Sequence, residues 1–213
     1  MHECLIVIPT YNPGEFIFKN LEIYRQLDKD KYKVLLIDNG TNNQESIDIL
    51  NKVNEEFTVE KNMFNGGYEP GALLHAVNKY DSKQVFLTQD SMELIDLNFI
   101  LTPDENSTKA FVIEYQPTRF LSRDQVIWIK NTFGDDVFEG LYFKHALVST
   151  TFITLRSEID KIIQQNILTE SNLPRSKSQQ ECWERVMGVA LGLNGNKFNM
   201  YHEMFKKTLM GRQ

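Results

Sequence analysis

The sequence predicts a doubly wound α/β fold, a mostly parallel central sheet with helices on both faces. Two patterns predict it. Leu5–Ile8, Val34–Ile37 and Val85–Leu87 are unbroken apolar runs rather than alternating ones, as expected of strands covered on both faces. Between them the apolar residues recur at helical spacing, so strand and helix alternate through the first 90 residues.

Taken in order, Leu5-Ile6-Val7-Ile8 ends at Pro9, and Thr10-Tyr11-Asn12-Pro13-Gly14 makes a turn. From Glu15, the spacing of Ile17, Leu21, Tyr24 and Leu27 predicts a helix that ends in the charged run Asp28 to Lys31. Val34–Ile37 is the next strand and closes on Asp38-Asn39-Gly40, completing a βαβ unit whose crossover is right-handed. A weaker helix carries Ile47, Leu50 and Val53, and a short strand is expected around Phe57–Val59. After the loop from Asn62 to Gly67, Glu69-Pro70 opens a helix lined by Leu73, Val77 and Tyr80, because proline is tolerated in a first turn. The chain then enters the strand Gln84–Thr88, which stops at Asp90. An acid there has two readings, a ligand-holding carboxylate at the carboxyl edge of the sheet or the N-cap of a helix starting at Met92.

Beyond Asp90 the pattern is less regular. Ala110–Tyr115 reads as a strand, Ser122 with Gln125 as a capping box, Leu147–Leu155 as a strand and Ser157–Ile167 as an amphipathic helix. Thr169–Gln180 is almost devoid of apolar residues and is expected to be a mobile surface loop. Trp183, Val186, Met187 and Ala190 mark a helix ended by the Gly192–Gly195 turn, and Phe198–Tyr201 a last strand with His202 at its end. No internal repeat is present.

The chain has 213 residues, 41% hydrophobic and 24% charged, which suits one globular domain. The net charge of −6 is spread along the chain, which disfavours nucleic acid and other polyanions as partners. Two cysteines far apart in sequence suit a reducing compartment. The N-terminus enters a strand without a basic lead or cleavage site, and no apolar run approaches the ~20 residues of a membrane span, so a soluble, cytoplasmic protein without a transmembrane segment is expected.

Several chemistries are excluded by their missing motifs. There is no G-x-G-x-x-G, no G-x-x-x-x-G-K-[ST], no G-x-S-x-G, and no zinc-ligand spacing of His and Cys. What remains is a row of polar loops at successive strand ends: Thr10-Tyr11-Asn12, Asp38-Asn39, Asn65-Gly66-Gly67 and Asp90. Each alone is ordinary turn chemistry. Four on one edge describe a pocket.

Their order and spacing resemble the nucleotide-binding half of family 2 glycosyltransferases, which have the GT-A fold. Leu5-Ile-Val-Ile-Pro-Thr-Tyr-Asn12 is similar to that family's first strand and loop, and Ile37-Asp38-Asn39-Gly40-Thr41 to its Val-Asp-Asp-Gly-Ser. Asn65-Gly66-Gly67 resembles its Asn-x-Gly loop, and Leu87-Thr88-Gln89-Asp90-Ser91 its D-x-D strand. The resemblance covers about residues 4 to 95 and implies one GT-A-like domain, with residues 1–95 as a nucleotide-binding half and 96–213 as an acceptor-binding half.

The resemblance implies a transferase that moves a sugar from a nucleoside-diphosphate sugar to a carbohydrate or other hydroxyl acceptor, inverting the anomeric centre by single displacement, as in polysaccharide biosynthesis. Pro9, Thr10, Tyr11, Asn12, Asp38, Asn39, Asn65, Gly66, Gly67, Gln89 and Asp90 would bind the donor. Asn39 stands where the family has an acid that accepts a hydrogen bond from the base. Asp90 would hold Mn2+ or Mg2+, with His202 completing the metal shell. Gln89 and Ser91 replace the neighbours of that acid, and if no metal binds, Arg175 and Lys177 would neutralise the diphosphate. The general base is placed by resemblance in Gln179–Arg185, with Glu181 first and Glu184, one turn along, as its substitute. Trp183 is either a sugar platform or a core residue. The thinned D-x-D leaves a catalytically inactive binding or scaffold relative as the alternative. A sugar-phosphate nucleotidyltransferase is disfavoured, because Pro9–Gly14 contains no basic residue.

Overall fold

In the computed structural model, residues 1–64, 67–102, 107–111, 113–115, 121–143, 145–147, 150–195 and 197–207 are described. The first βα units are β1 (His2–Thr10), α1 (Phe16–Leu21), β2 (Tyr32–Asp38), α2 (Gln44–Val53), β3 (Thr58–Lys61), α3 (Tyr68–Lys79) and β4 (Ser82–Leu87). There follow β5 (Met92–Leu94), α4 (Asn98–Leu101), β6 (Ser107–Ala110), β7 (Ile113–Tyr115), α5 (Arg123–Phe133), α6 (Asp135–Phe143) and β8 (His145–Leu147). The chain continues through β9 (Phe152–Leu155), α7 (Arg156–Gln164), α8 (Lys177–Leu193), β10 (Lys197–Met200) and β11 (Phe205–Lys207).

Seven strands form the main sheet in the order β10-β6-β9-β4-β1-β2-β3, drawing on both halves of the chain. All pairings in it are parallel except those of β9, which runs antiparallel to β4 and β6. The unbroken apolar runs have the predicted cause. Leu5, Val7, Leu35, Ile37, Val85 and Leu87 face one core, with α3, α7 and α8. Cys4, Ile6, Ile8, Leu36 and Phe86 face the other, with α1, α2 and α4. Alternate residues of each strand thus enter opposite cores, and neither face could carry polar residues. Trp183 belongs to the first core and is buried, so it is not a sugar platform.

Five local expectations are corrected. The helix over Glu15–Leu27 is α only to Leu21 and continues as a 3₁₀ turn, Glu22–Gln26. Leu21, Tyr24 and Leu27 are spaced by threes, the period of the tighter helix, and all are buried. Tyr80 caps α3 rather than lining it. The segment after Asp90 is β5, paired antiparallel with β11 from the other end of the chain, so Asp90 is not a helix N-cap. The strands expected over 110–115 and 147–155 are each split: β6 and β9 join the main sheet, while β7 and β8 pair separately. Thr169–Gln180 is ordered: Leu173 and Pro174 are buried, and α8 starts at Lys177 with Ser176 Oγ accepting from Gln179 N at 3.3 Å. The capping box at Ser122 and Gln125 forms as expected.

The start of α3 is set by Gly67, which has φ 78°, a left-handed conformation costly for any residue with a Cβ. A Cβ there would also lie 3.1 Å from Gly71 Cα and from Leu173 Cδ1. The end of α3 is closed by Arg156, whose guanidinium donates to Val77 O at 2.8 Å and Tyr80 O at 2.9 Å, satisfying carbonyls the helix cannot. Glu60, on β3, ties the helix to the sheet: it accepts from His75 Nε2 at 2.8 Å, from Lys79 Nζ at 2.7 Å and from the Tyr80 hydroxyl. Partial burial alone would raise its pKa, but these three donors outweigh it and hold it at about 2.

Gly67→Ala is expected to lower stability by about 1–3 kcal/mol in a denaturant melt, since strain and a backbone contact act together. For Glu60 the folded pKa lies below the ordinary 4.5, so its stabilisation is complete above that value and is lost as pH falls toward about 2. Glu60→Gln should therefore unfold at lower temperature at pH 7, and the gap between the two proteins should narrow on acidification toward pH 2.

Candidate functional site

In an open α/β sheet, ligands bind beyond the carboxyl ends of the strands where successive connections leave in opposite directions. Here β2 and β3 extend one way from β1, and β4 returns on its other side, so the crevice opens between the ends of β1 and β4. Thr10 ends β1 and Asp90 follows β4, and Thr10 Oγ1 donates to Asp90 Oδ2 at 2.9 Å. Asn20, buried on α1, donates from Nδ2 to Asp90 O at 2.6 Å and fixes the backbone of the turn. Thr10 is buried while Asp90 is half-buried, so the carboxylate keeps partial access to solvent beside a dry neighbour.

The next two strand ends line one side of this crevice with amides, a phenol and the carboxylate of Asp38. Asp38 turns its Oδ1 onto its own loop, accepting from Gly40 N at 3.1 Å and Thr41 N at 2.7 Å, an arrangement that Gly40, at φ 98°, permits. Asn39 Oδ1 accepts from Asn62 Nδ2 at 2.7 Å, joining the ends of β2 and β3. Asn12 and Asn42 exchange two hydrogen bonds of 3.0 Å, holding the β1 loop to the β2 loop with Asn12 at φ 47°. Tyr11 stands 54% exposed at this rim, and its hydroxyl receives Asn42 Nδ2 at 3.4 Å. Pro9 is buried within β1 and shapes this end without offering a polar group. Asn65 and Gly66 lie outside the described residues; Gly67, beside them, is the N-cap of α3.

The opposite side is charged. Gln89 Nε2 donates to Glu69 Oε1 at 3.1 Å and to Thr150 Oγ1 at 3.2 Å, so it bridges the first turn of α3 to the segment before β9. Glu184, on α8, is buried, and its pKa is pushed up to about 7, first by burial and then by the charge of Glu69, against the pull of Lys177 and Arg185. Glu181 is exposed on the same helix. Arg175 and Lys177 are exposed where α8 begins. The fold thus gathers Thr10, Asp90, Gln89 and Glu69, with Glu184 within electrostatic reach of Glu69. Glu69, Thr150 and Asn20 were missed in the sequence. Glu69 had a visible signal, an acid opening a helix directly after a strand-end loop, but helix dipoles favour acids there in any protein.

For a metal, Asp90 offers a half-buried carboxylate, and among the described residues no three His, Cys, Asp or Glu side chains converge on a point. Mg2+ and Mn2+ can be held by one protein carboxylate with the remaining positions filled by ligand oxygens and water, so the residues suit such a cation rather than a preformed cage. The side chain of His202 lies outside the described residues. Its backbone precedes β11, whose register sets Lys207 against Met92 and Phe205 against Leu94, so residue 202 lies beyond the end of the pairing that is remote from Asp90.

Among the described residues no helix is long and apolar enough to cross a membrane. No protein-family model matches the sequence, and no curated protein matches it. Solved structures do. TarS of S. aureus in complex with UDP-GlcNAc superposes with a TM-score of 0.62 at 12% identity, over 100% of this chain and 60% of that one. A mannosyltransferase from Pyrobaculum calidifontis, PcManGT in complex with GDP-Man and Mn2+, does so with a TM-score of 0.58 at 11% identity, over 99% of this chain and 58% of that one. This chain therefore spans about 60% of the length of these two structures. The mostly parallel seven-stranded sheet with helices around it and the agreement over the whole length lead to one conclusion: this chain has the GT-A glycosyltransferase fold.

Proposed function

We propose that this protein transfers a sugar from a nucleoside-diphosphate sugar to a hydroxyl acceptor. The observation that supports this reading best is the Thr10 to Asp90 contact at the point where the strand order reverses, which sets one carboxylate where a diphosphate would lie. The neutral rim of Tyr11, Asn12, Asn39 and Asn62 suits the nucleoside, and Pro9, Asp38 and Gly67 shape its walls. Gln89 orients Glu69 at the boundary between the two sides.

For the base we assign Glu184 in place of Glu181. Glu181 is exposed, whereas Glu184 is buried on the charged side with a pKa near 7, close to the value at which a carboxylate takes a proton efficiently at neutral pH. In the proposed step the acceptor O–H gives its proton to the Glu184 carboxylate, and the acceptor oxygen bonds to the anomeric carbon. The bond from that carbon to the diphosphate oxygen breaks, its electron pair leaving on the nucleoside diphosphate, so the anomeric configuration inverts. A divalent cation between Asp90 and the diphosphate would neutralise the leaving charge. Lys177, whose charge reaches Glu184, adds positive potential on the same side. A second reading, a non-catalytic sugar-nucleotide binder, is favoured by one observation: Gln89 is committed to Glu69 and Thr150, leaving Asp90 as the one acid of its turn.

Asp90→Asn keeps an acceptor for the Thr10 hydroxyl and removes the charge. It should melt within a few degrees of wild type yet lose at least about tenfold in calorimetric affinity for the donor it binds in the presence of Mn2+; unchanged affinity would remove Asp90 from the site. Glu184→Gln should retain donor binding and lose roughly 10²–10⁴ in kcat. The wild-type rate should rise through about pH 7 as Glu184 ionises. Its raised pKa also means that ionisation costs stability, so Glu184→Gln should be at least as stable as wild type above pH 7. Donor hydrolysis assayed with and without Mn2+ separates transferase from binder, since only an activated anomeric centre hydrolyses.

A further inference from the structure

Helix α8 carries a buried polar side chain that the proposed mechanism leaves unused. Gln180 is fully buried, and among the described residues neither its Nε2 nor its Oε1 has a hydrogen-bond partner. Buried amides are nearly always bonded, because an unbonded end keeps the cost of losing its water. The groups around it in that turn are engaged. Gln180 N donates to Ser176 O at 3.0 Å, Gln179 Oε1 accepts from Arg175 N at 2.7 Å, and Ser178 O accepts from Gln125 Nε2 at 3.3 Å. The side-chain amide of Gln180 is an exception within a satisfied turn.

Four residues along, on the same face of α8, lies Glu184, which is also buried. The amide is close enough to favour the charged form of that carboxyl, although no bond of full hydrogen-bond geometry joins them. Three charges also act on Glu184: Glu69 of α3 raises its pKa, and Lys177 and Arg185 of α8 lower it. Lys177 is exposed, and Arg185 Nη1 donates to Glu181 O at 2.6 Å. Of the other helices packed on α8, α5 carries Arg123, Asp124 and Lys130 exposed, and α6 carries Asp135, Asp136 and Glu139 exposed. Those of α7 pair with one another, Arg156 with Asp160 and Lys161 with Glu158. The side chain of His145, on β8, lies outside the described residues. Gln180 therefore meets Glu184 as a neutral, buried neighbour with no other bond to keep.

An amide suits a group that gains and loses a proton. Its two ends are alike in size, so turning it over about χ3 needs no extra space. A protonated Glu184 can give its O–H to Oε1, and an ionised Glu184 can take N–H from Nε2. The second bond is charge-assisted and the stronger of the two. We infer that Gln180 is a positioning residue for Glu184, holding the carboxyl in place through gain and loss of its proton and favouring the ionised form that acts as base. This deepens the reading above and rests on the assignment of Glu184 as the base. The unbonded amide then has a physical reason, since its strongest bond belongs to the charge state that the reaction uses.

The link is read without substrate, by NMR titration of the intact chain over about two pH units on either side of the Glu184 value near 7. Both side chains are assigned through their backbone signals. In the wild type the Gln180 amide signals should shift with the same midpoint as the Glu184 carboxyl carbon, and that shift should vanish in Glu184→Gln. Gln180→Met keeps the length of the side chain and removes both polar atoms; there the Glu184 midpoint should rise by about one pH unit, which lost packing alone would not produce. Gln180 signals that stay fixed through the Glu184 titration, or that still move in Glu184→Gln, overturn the inference even if Gln180→Met does not fold. An unchanged midpoint in a folded Gln180→Met overturns it as well. Each of these leaves the transferase reading standing, because that reading depends on Glu184 and not on Gln180. Should Glu184→Gln instead turn over as fast as wild type, the base assignment falls and the positioning role with it, whatever the two midpoints show.

Discussion

A parallel sheet covered on both faces has nowhere to expose polar groups except its ends, and that constraint organises this molecule. With Leu5, Val7, Leu35 and Ile37 committed to one core and Cys4, Ile6, Ile8 and Leu36 to the other, the strands meet water only where they stop. Thr10, Asp38 and the turn at Asp90 are those stops, and because β1, β2 and β4 are parallel they stop at the same edge. The Thr10 to Asp90 hydrogen bond lies where this constraint produces the proposed site.

The two sides of the crevice differ in how their acids are held. On the side of β2 and β3 amides and a phenol are tied to one another by hydrogen bonds that run from Tyr11 through Asn42 to Asn12 and from Asn39 to Asn62, and the Asp38 carboxylate is turned onto the amides of its own loop. On the side of α3 and α8, Glu69 and Glu184 lie close enough for one to raise the pKa of the other, and Glu184 is buried besides. A buried carboxylate near a second one is costly to ionise, and such an expense is typical of groups that trade protons. Under the proposed function the first side would face the heterocycle of the donor and the second its reacting atoms.

Beneath the site, α3 is held at three points. Gly67 permits its sharp start against Leu173, Glu60 and His75 bind its middle to β3, and Arg156 closes its end. The same helix supplies Glu69 in its first turn and, through His75, anchors the loop that carries Asn62. Scaffold and rim thus share residues, and a change in how α3 sits would be felt on both sides of the crevice.

Local pattern alone determined the alternation of strand and helix up to Asp90, the capping box at Ser122 and the polar strand ends at Thr10, Asp38 and Asn39. Each of these depends on periodicity or on side chains within a few residues of one another. Tertiary structure alone decided that Met92–Leu94 is a strand, because its partner β11 lies over a hundred residues away. It also decided that Thr169–Gln180 is docked and helix-forming at its end, because the surface that buries Leu173 and Pro174 belongs to other elements. The distinction between Glu181 and Glu184 is of the same kind: adjacent acids on one helix are equivalent in sequence, and only packing determines which of them loses its water.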